Sequence, residues 1–210
     1  MDNFVWGDEP RFLLCSGMHG DEYQTCDLLR EYVENNKLEF KNFVYISKLS
    51  PSAYELKTRY NQYGHDLNRS FVPNMTDPET IEITESLKKY KFDLCLDFHE
   101  DFSQEKDFYV CDSGDITWTF DTKKLNINLF NGIEDPNDPL LQVEVKDGYV
   151  HDFPGCFKDE DGFMSHWMYV NNICKRTLTM EVPMGATLDQ KRQIIQKVLK
   201  FTLDRGVIHR

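Results

Sequence analysis

Short apolar runs alternate with longer segments of helical periodicity along most of the chain. The apolar runs predict buried strands, and they lie at 12–15, 43–46, 92–98, 107–111 and 176–182. Apolar residues at helical spacing predict amphipathic helices, and these lie at 22–35, 162–173 and 188–204. A fourth helix is predicted to begin at Asp77-Pro78-Glu79, because Asp is a preferred N-cap and Pro fits the first helical position.

The order of these elements predicts the fold class. Strands that alternate with helices indicate an α/β fold with a central, mostly parallel mixed sheet and helices on both faces. Ser50-Pro51 predicts a turn into a loop that reaches about Pro73, and 112–157 predicts loops and edge strands over one end of the sheet. No linker interrupts the pattern, so residues 1–210 are predicted to form one domain.

Composition excludes several classes of function. The 210 residues carry a net charge of −12 and no basic cluster, so a nucleic-acid partner is not expected. No apolar run reaches the roughly 18 residues of a membrane span, and the N-terminus has no basic and apolar signal segment. Six cysteines without a C-x-x-C pair are predicted to be reduced, which favours a cytoplasmic protein. The oligomeric state stays open.

Three residues with metal-ligating side chains follow the predicted strands. His19 and Glu22 lie on a turn that enters a helix, and His99 lies in Asp97-Phe98-His99-Glu100-Asp101 at the end of a strand. Open α/β sheets place their sites at this edge, and imidazole and carboxylate are both good zinc ligands. Each segment alone also fits a structural role, either as an acidic first helical turn or as a solvated acidic loop.

Two further segments carry charged side chains of a different kind. Arg59, Asn68 and Arg69 lie in the predicted loop, and a guanidinium offers two parallel donors to a carboxylate. These arginines fit surface salt bridges equally well. Glu181 interrupts an apolar strand near its end, so it is either an exposed strand-end residue or a functional carboxylate able to move protons.

The order of these residues resembles that of the zinc carboxypeptidase superfamily. The chain spells the set as His19-x-x-Glu22, Arg59, Asp66-x-Asn68-Arg69, His99 and Glu181. The spelling of Thr58-Arg59-Tyr60 and Asp66-Leu67-Asn68-Arg69 is similar to the succinylglutamate desuccinylase and aspartoacylase branch of that superfamily. The likeness runs from about residue 12 to 183 but is anchored in only four places.

The resemblance implies a zinc site and a pocket that is lined by substrate-binding groups. One Zn²⁺ ion would be held by His19, Glu22 and His99, with a fourth position left for water. Glu181 would act as general base on the zinc-bound water and then as general acid toward the leaving amine.

The resemblance also implies how a substrate is held. Arg59 would stabilise the oxyanion of the scissile carbonyl, and Asn68 and Arg69 would hold the substrate carboxylate. The carboxypeptidases carry a tyrosine that closes over the substrate, and Tyr149 and Tyr169 are candidates for that role. His65 either lines the pocket or is an exposed loop histidine.

The implied activity is zinc-dependent hydrolysis of an amide bond near a substrate carboxylate. The first hypothesis is a metallocarboxypeptidase or peptide amidase acting on a small peptide, because the chain is expected to lack the C-terminal β domain of the aspartoacylase branch and to have an open site. The alternative is an N-acyl amino acid deacylase of the aspartoacylase or succinylglutamate desuccinylase type. A second alternative is a metal-stabilised binding module without catalysis.

Overall fold

The computed structural model describes residues 3–36, 41–115, 118–134, 142–150 and 158–204. The strands are, in chain order, β1 (Asn3–Trp6), β2 (Phe12–Ser16), β3 (Phe43–Ile46), β4 (Leu94–Asp101), β5 (Tyr109–Gly114), β6 (Gly132–Ile133), β7 (Glu144–Val145), β8 (Tyr149–Val150) and β9 (Arg176–Pro183). The α-helices are α1 (Tyr23–Asn36), α2 (Pro51–Leu56), α3 (Pro78–Leu87), α4 (Met164–Val170) and α5 (Leu188–Asp204). Short 3-10 turns occupy Leu67–Arg69, Thr122–Leu125 and Asp159–Asp161.

Seven strands form one mixed sheet in the order β1-β3-β2-β4-β9-β5-β8. The central strands β3, β2, β4 and β9 are parallel to one another. Strand β1 is antiparallel to β3, and β5 is antiparallel to β9, so the sheet reverses direction near both edges. Strands β6 and β7 form a separate antiparallel pair. The predicted α/β fold with a mostly parallel mixed sheet is therefore confirmed.

Helices cover both faces of this sheet. Because successive side chains of a strand point to opposite faces, Leu14 and Leu96 pack with α1 and α5, while Leu13 and Cys95 pack with α3 and α4. Both layers are apolar and buried, which is the pattern expected for parallel strands enclosed on two sides. The strands are thus held rigidly, and their carboxyl ends form a fixed edge.

Some local predictions are confirmed and others are wrong. Strand β3 and helix α5 have the predicted bounds, and Asp77 caps α3 by accepting the N–H groups of Glu79 and Thr80. The predicted loop after Ser50 instead contains α2, which that serine caps, and a 3-10 turn. The predicted helix at 162–173 is shorter, and it ends before Asn172, whose φ of 53° leaves the helical region.

The described cysteines are free thiols, namely Cys15, Cys26, Cys95, Cys111 and Cys174. Cys156, His151 and His209 lie outside the described residues. Within the described part of the chain, none of the helices combines the length and the apolar character of a membrane span.

Candidate metal centre

The turn between β2 and α1 brings two side chains to the carboxyl edge of the sheet. His19 and Glu22 lie on this turn, and Glu22 immediately precedes the first residue of α1. The turn presses against α2, since a Cβ on Gly20 would lie 1.7 Å from the carbonyl oxygen of Ala53. Only glycine fits at this approach, which fixes where the two side chains start. His99 reaches the same edge on β4, which pairs with β2 in parallel.

The three side chains meet at one point. One ligand atom from each of His19, Glu22 and His99 lies within 4.8 Å of the others, and all three residues are buried. The Nδ1 atom of His19 lies 2.5 Å from Oε1 of Glu22, and the Nδ1 atom of His99 lies 3.1 Å from Oε2 of Glu22. The geometry thus brings together the three predicted ligands, which are far apart in sequence.

The outer nitrogen of each imidazole faces a second carboxylate. The Nε2 atom of His19 lies 3.1 Å from Oδ1 of Asp66, and the Nε2 atom of His99 lies 3.2 Å from Oδ2 of Asp97. A carboxylate accepts a proton-bearing nitrogen, so each Nε2 would donate and each Nδ1 would keep a lone pair toward the shared point. Carboxylates in this position orient the imidazoles of metal sites.

One buried oxygen in the cluster lacks a donor. Within the described residues, Oε2 of Glu22 is buried and accepts no hydrogen bond, because the His99 Nδ1 atom 3.1 Å away presents a lone pair when its Nε2 atom carries the proton. Leaving such an atom without a partner is costly, and a cation between Glu22 and the two imidazoles would supply one. Two imidazoles and a carboxylate are a donor set suited to zinc or a similar divalent ion. The residues present therefore fit a divalent metal.

The local electrostatics also favour a cation. Burial alone would raise the pKa of Glu22, but the attraction of His19 and His99 outweighs it and lowers that pKa well below its usual range. Burial alone would lower the pKa of His99, but Asp97 and Glu22 raise that pKa well above its usual range. A field that favours a proton on a buried imidazole equally favours a metal cation beside it.

Arg59 joins the cluster through Asp66. Its Nε and Nη2 atoms lie 2.9 and 2.8 Å from Oδ2 of Asp66, whose other oxygen faces His19. Burial would raise the pKa of Asp66, but His19 and then Arg59 lower it well below its usual range. Asp66 therefore holds the imidazole and the guanidinium in fixed relative positions.

Asn68 and Arg69 lie on the 3-10 turn that Asp66 caps. Oδ1 of Asn68 accepts the backbone N–H of Met164 at 3.1 Å, and the Arg69 guanidinium stacks over the Phe163 ring at 4.1 Å. The segment before α4 thus supports both side chains. Both line the same cavity as the three possible metal ligands.

Glu181 lies beside His99 on the neighbouring strand. The two residues are register partners of β9 and β4, so their side chains point to the same side of the sheet. Burial raises the pKa of Glu181 well above its usual range against the opposing effect of His99, and the nearby carboxylates of Glu22 and Glu134 raise it further.

All seven predicted site residues line one cavity of about 620 Å³. They are His19, Glu22, Arg59, Asn68, Arg69, His99 and Glu181. The cavity also has lining residues that sequence reasoning missed, which include Phe102, Tyr109, Cys111 and Glu134. Tyr109 and Cys111 contribute because β5 lies antiparallel to β9, and no local signal in the sequence reveals that pairing.

Three residues considered beside the site do not line this cavity. The Tyr149 hydroxyl donates to Asp112, and the Tyr169 hydroxyl donates to Asp115 at 3.3 Å. His65 places its Nδ1 atom 2.8 Å from Asp77. Among tyrosines, Tyr109 is the one whose ring forms part of the wall, and its hydroxyl donates to Asp101 at 2.9 Å.

Solved structures share this fold. A candidate metallopeptidase from Shewanella baltica OS155 has a TM-score of 0.73 at 20% identity, with 94% of this chain and 76% of that chain covered. Murein-tripeptide amidase from Escherichia coli O157 has a TM-score of 0.62 at 15% identity, with 95% and 85% covered. The ectoine utilization protein of Ruegeria pomeroyi, in a product-bound structure, has a TM-score of 0.60 at 18% identity, with 97% and 59% covered.

Sequence comparison gives a more specific relationship. No curated protein matches the chain. The model of the succinylglutamate desuccinylase/aspartoacylase catalytic domain matches residues 8–204, which is nearly the whole sequence. The chain therefore belongs to the succinylglutamate desuccinylase/aspartoacylase catalytic domain family.

Proposed function

We propose that this protein is a zinc-dependent hydrolase that cleaves an amide bond near a substrate carboxylate. The observation that carries the proposal is the convergence of His19, Glu22 and His99 on one point, with Glu181 beside it on the next strand. The family match supports the same class of chemistry.

In this proposal His19, Glu22 and His99 hold one zinc ion. The partnerless Oε2 of Glu22 and the two Nδ1 atoms are the donors it would use. When bound, zinc supplies a Lewis acid that polarises a carbonyl group and lowers the pKa of water. Asp66 and Asp97 keep the two imidazoles oriented toward it.

Glu181 is proposed to move the protons of the reaction. A carboxyl group whose pKa is raised can take a proton from the attacking water and return it to the leaving amine near neutral pH. Its place beside His99 puts it at the metal side of the cavity. Among the described residues, no hydrogen bond or ion pair occupies its carboxylate, which leaves it available to the reactants.

The cationic side of the cavity is proposed to bind the substrate. Arg59 is held by Asp66 close to His19, where its remaining N–H groups can stabilise negative charge on the carbonyl oxygen. Asn68 and Arg69 are supported by Met164 and Phe163, and they can hold a substrate carboxylate by bidentate and amide hydrogen bonds. A fixed anchor presents the amide to the attacking water.

Two substrate classes fit this arrangement. The cavity of about 620 Å³ can hold a short peptide, which favours a carboxypeptidase or peptide amidase. The family match favours an N-acyl amino acid deacylase. Both classes carry a free carboxylate on the amine side of the scissile amide, and they differ on the acyl side, which is a peptide in one class and a small acyl group in the other.

A panel of substrates tests the proposal. The purified protein is assayed with zinc against peptides with a free carboxyl terminus and against N-acyl amino acids such as N-succinylglutamate and N-acetylaspartate. Turnover of the acyl amino acids alone would reject the carboxypeptidase hypothesis, and turnover of peptides alone would reject the deacylase hypothesis. Hydrolysis of neither class, together with retained zinc binding, would leave the binding-module alternative.

A further inference from the structure

A buried ion pair adjoins the candidate metal centre, and one of its two members, Glu100, lines the same cavity. Glu100 and Lys191 are 4% and 0% exposed, and Oε2 of Glu100 lies 2.5 Å from Nζ of Lys191. Burying two charges is costly, and well-packed apolar residues commonly stabilise a fold as well as such a pair does. The position of the pair therefore requires an explanation beyond stability.

The pair connects the two elements that carry the candidate metal ligands. Glu100 directly follows His99 on β4, and its Oε1 atom accepts the backbone N–H of Thr25 at 2.6 Å. Lys191 donates from Nζ to Oε1 of Gln24 at 2.8 Å. Gln24 and Thr25 lie in the first turn of α1, immediately after Glu22.

Contacts with the first turn of a helix can fix the position and direction of the whole helix. Its N–H groups lack partners within the helix, and a carboxylate there is also favoured by the helix dipole. Glu100 supplies the acceptor from a neighbouring strand, which ties the start of α1 to β4. Lys191 belongs to α5, where its neighbours on the buried face are apolar, so the lysine is a polar exception on that face.

We propose that Glu100 and Lys191 are positioning residues for the metal centre. They set the distance and orientation of Glu22, just before α1, relative to His99 on β4, so that the ligand atoms are already close before a metal binds. This inference rests on the proposed metal centre, and it deepens that proposal by assigning the preorganisation of the site to residues other than the three metal ligands.

The test measures zinc affinity of the whole apo protein rather than activity. Competition with a chromophoric chelator gives the Kd for Zn²⁺, at a temperature where circular dichroism shows each variant folded. Lys191→Met is expected to weaken zinc binding about 10- to 100-fold, as is typical when a group that supports metal ligands is removed. The Co²⁺-substituted variant is expected to show an altered visible spectrum, since the ligand geometry relaxes.

A matched control separates positioning from loss of stability. Ile195→Ala truncates another buried side chain on α5 and leaves Glu100 and Lys191 in place. It is expected to lower the melting temperature while changing the Kd for Zn²⁺ by no more than about twofold, because separate sites act independently. If Lys191→Met and Ile195→Ala have the same zinc affinity as the wild type, the pair is only structural and the inference is overturned.

Two milder variants keep the test decisive if Lys191→Met does not fold. Glu100→Gln retains an oxygen that can accept the N–H of Thr25, whereas Glu100→Ala removes it. The inference predicts clearly tighter zinc binding by the Gln variant than by the Ala variant. Equal affinities would overturn it.

Glu22→Gln distinguishes this inference from the metal centre itself. If the wild type binds zinc and Glu22→Gln loses it, the proposed centre holds and the Lys191 and Glu100 variants decide the inference alone. If the wild type and Glu22→Gln bind zinc equally, or neither binds it, the proposed centre fails and the inference fails with it.

Discussion

Strand β9 carries an ionisable side chain near each end, which is buried at Arg176 and only partly buried, at the cavity, at Glu181. At the first residue, Arg176 donates from Nε to Oδ1 of Asp112 at 2.8 Å and from Nη2 to Oδ2, and the Tyr149 hydroxyl donates to the same carboxylate. Arg176 also stacks over Trp118 at 4.3 Å. Near the other end, the Glu181 carboxylate has no hydrogen bond or ion pair within the described residues.

This contrast separates a structural charge from a chemical one. The Arg176 and Asp112 charges neutralise each other, and one N–H group of Arg176, at Nη1, is left without a partner in the described part of the chain. The Glu181 carboxylate and Oε2 of Glu22 lack hydrogen-bond partners within the described residues, and both lie at the edge where the candidate ligands meet. Polar groups in a cavity that lack a hydrogen-bond partner are available to a metal, a substrate or a water molecule. Groups with shifted pKa values are for this reason often found at functional sites.

The largest expected effect comes from removing the charge at the cavity end of β9. Glu181→Gln is expected to lower kcat by about 10²- to 10⁴-fold, the usual contribution of a general acid–base group. The melting temperature should stay the same or rise, because the variant replaces a partly buried carboxyl group that makes no hydrogen bond within the described residues. Initial rates and thermal unfolding of the zinc-loaded protein measure both quantities.

Glu134→Gln is the matched control for that variant. It removes another carboxyl group from the same cavity, whose charge raises the pKa of Glu181, and leaves the Glu181 carboxyl group itself in place. If both variants lose activity equally, the effect reflects the overall charge of the cavity and Glu181 has no special role.

The next effect lies at the opposite end of the strand. Arg176→Met leaves Asp112 buried without its cation and is expected to lower the free energy of unfolding by about 3–5 kcal/mol. The activity of the molecules that remain folded should not change. Urea unfolding, with rates measured below the transition, checks both expectations. Arg192→Met, at a partly exposed arginine, is expected to cost less than about 1 kcal/mol. A loss of kcat in Arg176→Met would break the proposed division between the two ends.

The sequence predicts features that depend on neighbouring residues. Helix α5 has a continuous apolar periodicity, and Phe43–Ile46 is an uninterrupted apolar run, so both are predicted with their observed bounds. Helix α2 has six residues, which is too short for a periodic pattern to be recognised. The short edge strand β8 gives a similarly weak local signal.

The site divides in the same way. His19 and Glu22 share one turn, and the sequence pattern also singles out Arg59, His99 and Glu181, but only the resemblance to a known family joins them in one site. The register that places His99 beside Glu181 comes from strand pairing between distant segments, which no local pattern specifies. Glu100 and Lys191 are 91 residues apart, and a buried lysine on an amphipathic helix cannot be told from a surface lysine by its spacing alone.

Removal of the metal tests a third difference between the cavity end of β9 and the Arg176 end, namely the dependence of stability on zinc. A ligand bound at a hundredfold excess over its Kd adds about 2.7 kcal/mol of stability, or roughly 5–10 °C in Tm for a chain of this size. Chelation of the zinc-loaded wild type should lower Tm by this amount. Glu22→Gln should abolish the shift, and Arg176→Met should keep it on a lower baseline. A Tm that chelation leaves unmoved in the wild type would argue against the metal centre.

The smallest expected effect concerns a third buried carboxylate, Asp77, which resembles Asp112 in being fully bonded. It accepts hydrogen bonds from Asn61, from His65 and from the start of α3. Burial would raise the pKa of Asp77, but these hydrogen bonds outweigh it and lower that pKa below its usual value. Its charged form therefore stabilises the fold at pH values above the unfolded pKa of about 3.9, and this contribution is lost as the pH falls through the lower, folded pKa.

Asp77→Asn removes that charge while keeping a residue that can cap α3. At pH 7 the variant should be less stable by about 1 kcal/mol, the usual size of a cap contribution, and the difference should shrink as the pH falls below about 4. Urea unfolding at pH 7 and pH 3 measures it, with Asp189→Asn, whose side chain is 88% exposed, as the control. Parallel stability curves for the wild type and Asp77→Asn would contradict the assignment. A difference that shrinks at low pH would instead show that the charge of Asp77, like that of Asp112, stabilises the fold. The cavity carboxylates that lack hydrogen-bond partners would then be the chemically distinct group.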